Sequence, residues 1–234
     1  MTTATLTGTD LRLRNFVVRE LDWDPEVDAS EIGVTARDGV VTLTGFVDTY
    51  AGKLAAERVA KRIRGVRAVA NDVAVRLVAE RPDADIAADA VAALKLLTTV
   101  ADKVQVAVHH GRIGLTGTVQ WLTQKESAAA AVRHIPGVRG VTNYIEASGQ
   151  PEFRDVHRRI VAALHRNADV DARNLRVEVA DGVVMLSGTV ASWLQREAAE
   201  RGAASAPGIR RVINQVEVVP PPSPADEVDE EEIC

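Results

Sequence analysis

Few residues of this 234-residue chain combine a reactive side chain with a spacing that chemistry could use. Of five histidines, only His109 and His110 are adjacent. Neighbouring residues of an extended strand point to opposite faces, so this pair does not converge on one metal ion. The single cysteine, Cys234, is the last residue, which rules out an intrachain disulfide or a cysteine metal cluster. Ser187 stands before Gly188 as a nucleophile would, yet Thr44 and Thr116 stand in the same place before Gly45 and Gly117. A strand residue explains that pattern more simply than catalysis. No phosphate-cradling loop or paired-carboxylate motif is found. The chain therefore reads as a non-enzyme, with no catalytic residue, metal or cofactor expected.

What remains is surface chemistry. Lys53, Arg58, Lys61 and Arg62, with Arg64, cluster on one helical stretch opposed by Glu57 alone. A second cluster holds Arg154, Arg158, Arg159 and Arg166, with His157 and His165. Positions 154, 158 and 165 share a helical face opposite an apolar stripe, a pattern that could dock on anionic lipid headgroups or simply be solvated. The few aromatic residues are informative by their placement. Tyr50, Trp121 and Trp193 each fall four or five residues after a recurring glycine. They read either as contacts that fix the start of a helix or as exposed anchors for a membrane or a partner protein.

The elements that position these residues follow from an internal repeat. Asp38-Gly39 to Gly45, His110-Gly111 to Gly117 and Asp181-Gly182 to Gly188 are three copies of one turn and strand. Twenty residues past the last glycine of each come Gly65, Gly137 and Gly208, and six further on Asn71, Asn143 and Asn214. The glycines read as structural: Gly39, Gly111 and Gly182 serve tight turns, and Gly45, Gly117 and Gly188 sit where a strand hands over to a helix and backbone packs closely. The asparagines read as hydrogen-bonding a neighbouring loop backbone from within a strand. Asp-Gly between alternating apolar runs predicts a tight hairpin.

Each copy predicts helix, strand, strand, helix, strand. The first helices are marked by Leu13, Phe16, Val17 and Leu21, by Ile86, Ala90, Ala93 and Leu97, and by Phe153, Val156, Ile160 and Leu164. The second helices are placed over roughly 50–63, 122–134 and 193–205. The fold expected is α+β: three tandem αββαβ sandwiches, each a three-stranded mixed sheet covered by two helices. The boundaries are 10–79, 83–148 and 151–219, after a disordered N-terminus over 1–9. Residues 220–234 form a proline-rich spacer and an acidic tail. The short links at 79–83 and 148–151 imply a semi-rigid arrangement.

The Leu-Thr-Gly or Leu-Ser-Gly strand end and the Val-x-Asn-x-Val strand resemble the BON domain family, in three copies over most of the chain. The resemblance implies a non-enzymatic binding module tied to phospholipid surfaces or to bacterial osmotic and envelope stress. It also permits a small-ligand or monovalent-cation sensor. By fold-level analogy with ring-building secretion modules, self-assembly into a ring or filament is the alternative.

Charge narrows the partners. The net charge is -5, and the tail from Asp226 to Glu232 supplies six negative charges, leaving the body at +1. That balance does not suit general nucleic-acid binding. The start of the chain has no basic and apolar leader, so a cytoplasmic location is expected, with peripheral contact at the inner membrane. The expected partner is a protein or an anionic membrane surface, with a homo-oligomer as a further outcome.

Overall fold

The computed structural model describes residues 8–77, 79–149, 156–166, 172–206 and 208–219. The element order repeats three times. The first unit holds α1 (Gly8–Trp23), β1 (Ile32–Arg37), β2 (Val40–Val47), α2 (Tyr50–Arg62) and β3 (Ala68–Val75). The second holds α3 (Asp83–Lys95), β4 (Val104–His109), β5 (Arg112–Val119), α4 (Leu122–Val132) and two short strands, β6 (Gly140–Asn143) and β7 (Glu146–Ala147), that both pair with β5. The third holds α5 (Val156–Arg166), β8 (Leu175–Ala180), β9 (Val183–Val190), α6 (Trp193–Ala204) and β10 (Arg211–Val218). The helix α1 begins at Gly8, inside the stretch read as a disordered N-terminus.

In each unit the central strand pairs antiparallel with the strand before it and parallel with the last one. The antiparallel partner is reached by a two-residue turn, because Arg37 faces Val40, His109 faces Arg112 and Ala180 faces Val183. Both turn residues take positive φ: Asp38 at 51° with Gly39 at 77°, His110 at 49° with Gly111 at 73°, and Asp181 at 48° with Gly182 at 74°. This is the type I′ geometry whose twist matches the strands. The carbonyl of each turn glycine accepts the N–H of Arg67, Arg139 or Arg210, at 2.7–2.8 Å, so the loop opened by Gly65, Gly137 or Gly208 is latched to the hairpin.

Each unit has its own core. Leu13, Val17 and Leu21 of α1 meet Val41, Leu43 and the small residues Ala55, Ala56 and Ala60 of α2. The equivalents are Ile86, Ala90 and Leu94 in the second unit, and Val156, Ile160 and Leu164 in the third. The alanine-rich faces of the second helices let them lie close on the sheet. Phe16, expected in the stripe, is half exposed and carries Arg19 over its ring. Ala93 and Leu97 are only partly buried, and Leu94 takes the core position instead. Phe153 lies outside the described residues.

The start of α3 is tied to its own hairpin. The two carboxylate oxygens of Asp83 accept the N–H groups of His110 and Gly111, each at 2.8 Å. The bond from Gly111, then that from His110, hold the Asp83 carboxyl below its usual range. A depressed carboxylate contributes stability above the unfolded value of about 3.9, and loses it as pH falls through the lower folded value. Asp83→Asn, with one acceptor oxygen in place of two, is expected to lower the melting temperature at neutral pH and to flatten its fall below about pH 4. Melting curves against pH check this; parallel curves for the two proteins would refute it.

Candidate functional site

The recurring asparagines do not reach a loop. Each ties the last strand to the first turn of the second helix. The Nδ2 of Asn71 donates to the Lys53 carbonyl at 3.0 Å, that of Asn143 to Lys125 at 2.7 Å, and that of Asn214 to Arg196 at 3.2 Å. Each Oδ1 accepts the N–H two residues on, from Val73, Ile145 or Val216. A strand asparagine, poor by propensity, fits here because its amide bridges the sheet–helix junction while its backbone stays in the ladder.

Gly45, Gly117 and Gly188 are also structural, but they do not sit at the strand-to-helix handover. They lie inside the central strands at φ of 109°, 137° and 114°. A Cβ at each would stand 2.0 Å from the carbonyl oxygen of Glu31, Lys103 or Asn174, in the residue just before the first strand.

The basic cluster on α2 is largely matched by acids. Arg58 pairs with Glu26 at 2.6 Å, Arg62 with Asp24 at 2.7 Å, and Lys61 with Glu57 at 2.7 Å. Lys53 is half-buried on the same helix. In the other cluster Arg154 lies outside the described residues, as do the side chains of Arg159, Arg166 and His165. Arg158 is exposed and engaged in an interaction, and His157 Nε2 lies 2.9 Å from the Val177 carbonyl.

Tyr50 and Trp193 are half-buried rather than exposed anchors, and they mark seams between units. Both are the first residue of a second helix, and the equivalent residue of α4 is Leu122; Trp121 occupies the N-cap instead. Tyr50 packs on the core of the second unit, Leu122 on that of the third, and Trp193 on that of the first. The three units therefore dock in a cycle, each helix tip seated in the next unit and the last returning to the first.

The seam from the third unit to the first is the best filled. Lys61 reaches across it to Glu197 at 3.3 Å while holding Glu57. Its ammonium lies 5.7 Å from the Trp193 ring centroid, and the guanidinium of Arg196 lies 4.9 Å from the same ring. Burial by itself would lower the lysine, but the hydrogen bonds and charges of Glu57 and Glu197 prevail and raise it. Burial likewise opposes ionisation of Glu57, and Lys61 and Asn71 outweigh it.

The seam from the second unit to the third is open. A cavity of about 690 Å³ lies there between α4 and α6, with Leu122, Glu126, Glu200 and Ala204 in its wall. Sequence reasoning missed Leu122 and this cavity, because neither aromatic content nor charge density marks them. Among the described residues no group of three or more His, Cys, Asp or Glu could hold a metal ion, and no helix is long and apolar enough to cross a membrane.

Comparison with known proteins gives a concordant picture. The family model described as BON domain matches residues 9–76, 82–149 and 154–220. Osmotically-inducible protein Y of Escherichia coli (strain K12) is 30% identical over 124 residues, which are 50% of this chain and 62% of that relative. The match thus spans less than two thirds of the relative's length. Two solved structures of CdsD, a structural protein of the Type III secretion system of Chlamydia trachomatis, are 16% identical with TM-scores of 0.27 and 0.26. They cover 94% and 89% of this chain and 98% of their own; at those scores the likeness carries no argument.

Proposed function

The chain belongs to the BON domain family, and on that premise we propose that it is a non-enzymatic, stress-related adaptor that recognises a partner protein through its uncovered sheet faces. The observation that carries this reading is the inward placement of the second helices. Tyr50, Leu122 and Trp193 are engaged at seams and the basic residues of α2 are held by acids, which leaves the outer sheet faces as the accessible regular surface. On the first unit that face presents Val40 and Phe46, 41% and 45% exposed, with Thr35, Thr44, Ala70 and Ala74. On the second it presents Ala107, Thr116, Thr118 and Thr142. These mostly small side chains, interspersed with the charged Arg37, Asp72 and Arg112 and with Arg76 stacked on Phe46, suit a protein partner better than a lipid headgroup layer. The ion-paired state of the α2 basic residues weighs in the same direction, since a matched cation gains little from anionic lipid. The stress role draws support from the likeness to the osmotically inducible relative.

A photo-crosslinking residue at Thr44 or Phe46 is expected to capture a discrete protein in cells after osmotic upshift, and one at Arg58 to capture none. Flotation of the purified chain with phosphatidylglycerol vesicles at low salt, without any sheet-face crosslink, would replace the protein partner with a lipid surface.

A further inference from the structure

We propose that the cavity between the second and third units binds a small alkylammonium ion, its nitrogen held between Glu126 and Glu200. This goes beyond the adaptor reading and rests on a comparison within the chain. The spacing of the repeat places Glu200 and Ala204 of α6 at the positions of Glu57 and Lys61 of α2. It likewise places Glu126 of α4 at the position of Glu197 of α6.

The closed seam shows what those positions hold. There an ammonium, that of Lys61, sits between two carboxylates at 2.7 and 3.3 Å and beside an aromatic ring. In the open seam both carboxylates are retained and the lysine is replaced by Ala204. The tryptophan is replaced by the smaller Leu122. The two smaller residues leave the place of the lysine and the tryptophan open, and it forms part of the cavity of about 690 Å³. Its apolar wall includes Leu122 and Ile145, which suits a short alkyl chain behind the charged nitrogen.

The unmatched state of Glu126 agrees. Glu126 is exposed at the cavity wall; partial desolvation there first and the Glu200 charge second push its carboxyl above the usual range, and Arg201 opposes them only in part. Glu200 is oriented by accepting from Asn214 Nδ2 at 2.9 Å. The cavity also carries Lys125, Arg210 and Arg211, of which Arg210 already donates to the Asp181 carbonyl. These cations make an anion the competing ligand, and the test includes one.

Calorimetric titration of the whole chain with n-butylammonium and with 1,4-diaminobutane is expected to give saturable binding above an ionic-strength-matched sodium chloride control. Ala204→Lys, which restores the built-in ammonium, is expected to weaken that binding at least about tenfold and to raise the melting temperature. Glu126→Gln, which keeps shape and removes charge, is expected to weaken it by a similar factor. Absence of saturable binding, unchanged affinity in both variants, or binding of butyrate in preference to butylammonium would each overturn the proposal. These results leave the crosslinking outcome untouched, so the two readings fail separately.

Discussion

Gly45→Val is expected to destabilise the first unit more than any other glycine substitution considered. The new Cβ would lie 2.0 Å from the Glu31 carbonyl oxygen, and the backbone sits at φ 109°, where a β-branched residue is strained. Neither atom can move cheaply, because the Cβ is fixed directly on the backbone of the central strand and the carbonyl accepts the N–H of Phe46 at 3.2 Å. The cost is at least about 3–4 kcal/mol, from the strained backbone and the clash together. That is a large part of the ~5–15 kcal/mol that holds an ordinary domain. Gly182→Val is expected to cost less, about 1–3 kcal/mol. Its Cβ would meet Arg210 Nε and the Gly208 carbonyl at 2.9 Å, and the arginine can swing away. Gly114→Ala is the control, since its Cβ has nothing nearer than the Ala107 carbonyl at 3.8 Å. Denaturant melts of the three variants should rank in that order. A wild-type midpoint for Gly45→Val would show that the central strand takes another path.

Trp193→Ala opens the cycle at its best-filled seam. The ring packs on the core of the first unit and supports Lys61 and Arg196 above it. Truncation removes that contact, at a cost of about 2–4 kcal/mol for a large aromatic residue that is half-buried. The loss falls on docking rather than on the core of either unit. The expected signature is a larger radius of gyration by small-angle scattering, with a mid-range ellipticity that still reports folded units. Trp193→Phe is expected to remain close to wild type, within about 1 kcal/mol, because the buried indole N–H has no hydrogen-bond acceptor to lose. An unchanged radius for the alanine variant would mean that Trp193 does not hold the seam.

The two substitutions act on different levels of the structure, and the sequence reads those levels unequally. The hairpin at Asp38-Gly39 is legible because a two-residue type I′ turn demands positive φ, which few residue types allow. The strand alternation at Val104, Val106 and Val108 and the stripe at Val156, Ile160 and Leu164 are legible because burial imposes their periods. Phe16 misleads for the same reason: it lies near the stripe by spacing, yet Leu13, Val17 and Leu21 alone of that run are buried. The asparagine bond is half legible. A polar residue in a strand announces a side-chain bond, but its acceptor, a helix carbonyl 18 residues away in sequence, is found only by folding.

The candidate site is where sequence reading falls shortest. The basic run on α2 looks like a free cationic face, yet Glu26 and Asp24, which match Arg58 and Arg62, lie on the loop after α1, 32 and 38 residues away. Trp121 looks like the partner of Tyr50 and Trp193, and the true counterpart is Leu122, a shift of one residue that aromatic content hides.

By itself the sequence determined the triplicated αββαβ unit, its turns, its strand limits and the roles of its small residues, because short-range sterics and apolar period fix these within tens of residues. Only the tertiary structure decided that the units close into a cycle, that the second helices face inward, and that one seam is filled by Lys61 while its counterpart at Ala204 stands open. Docking of that kind depends on shape and charge matched between surfaces far apart in the chain, such as those of Lys61 and Glu197, and no local pattern encodes such a match.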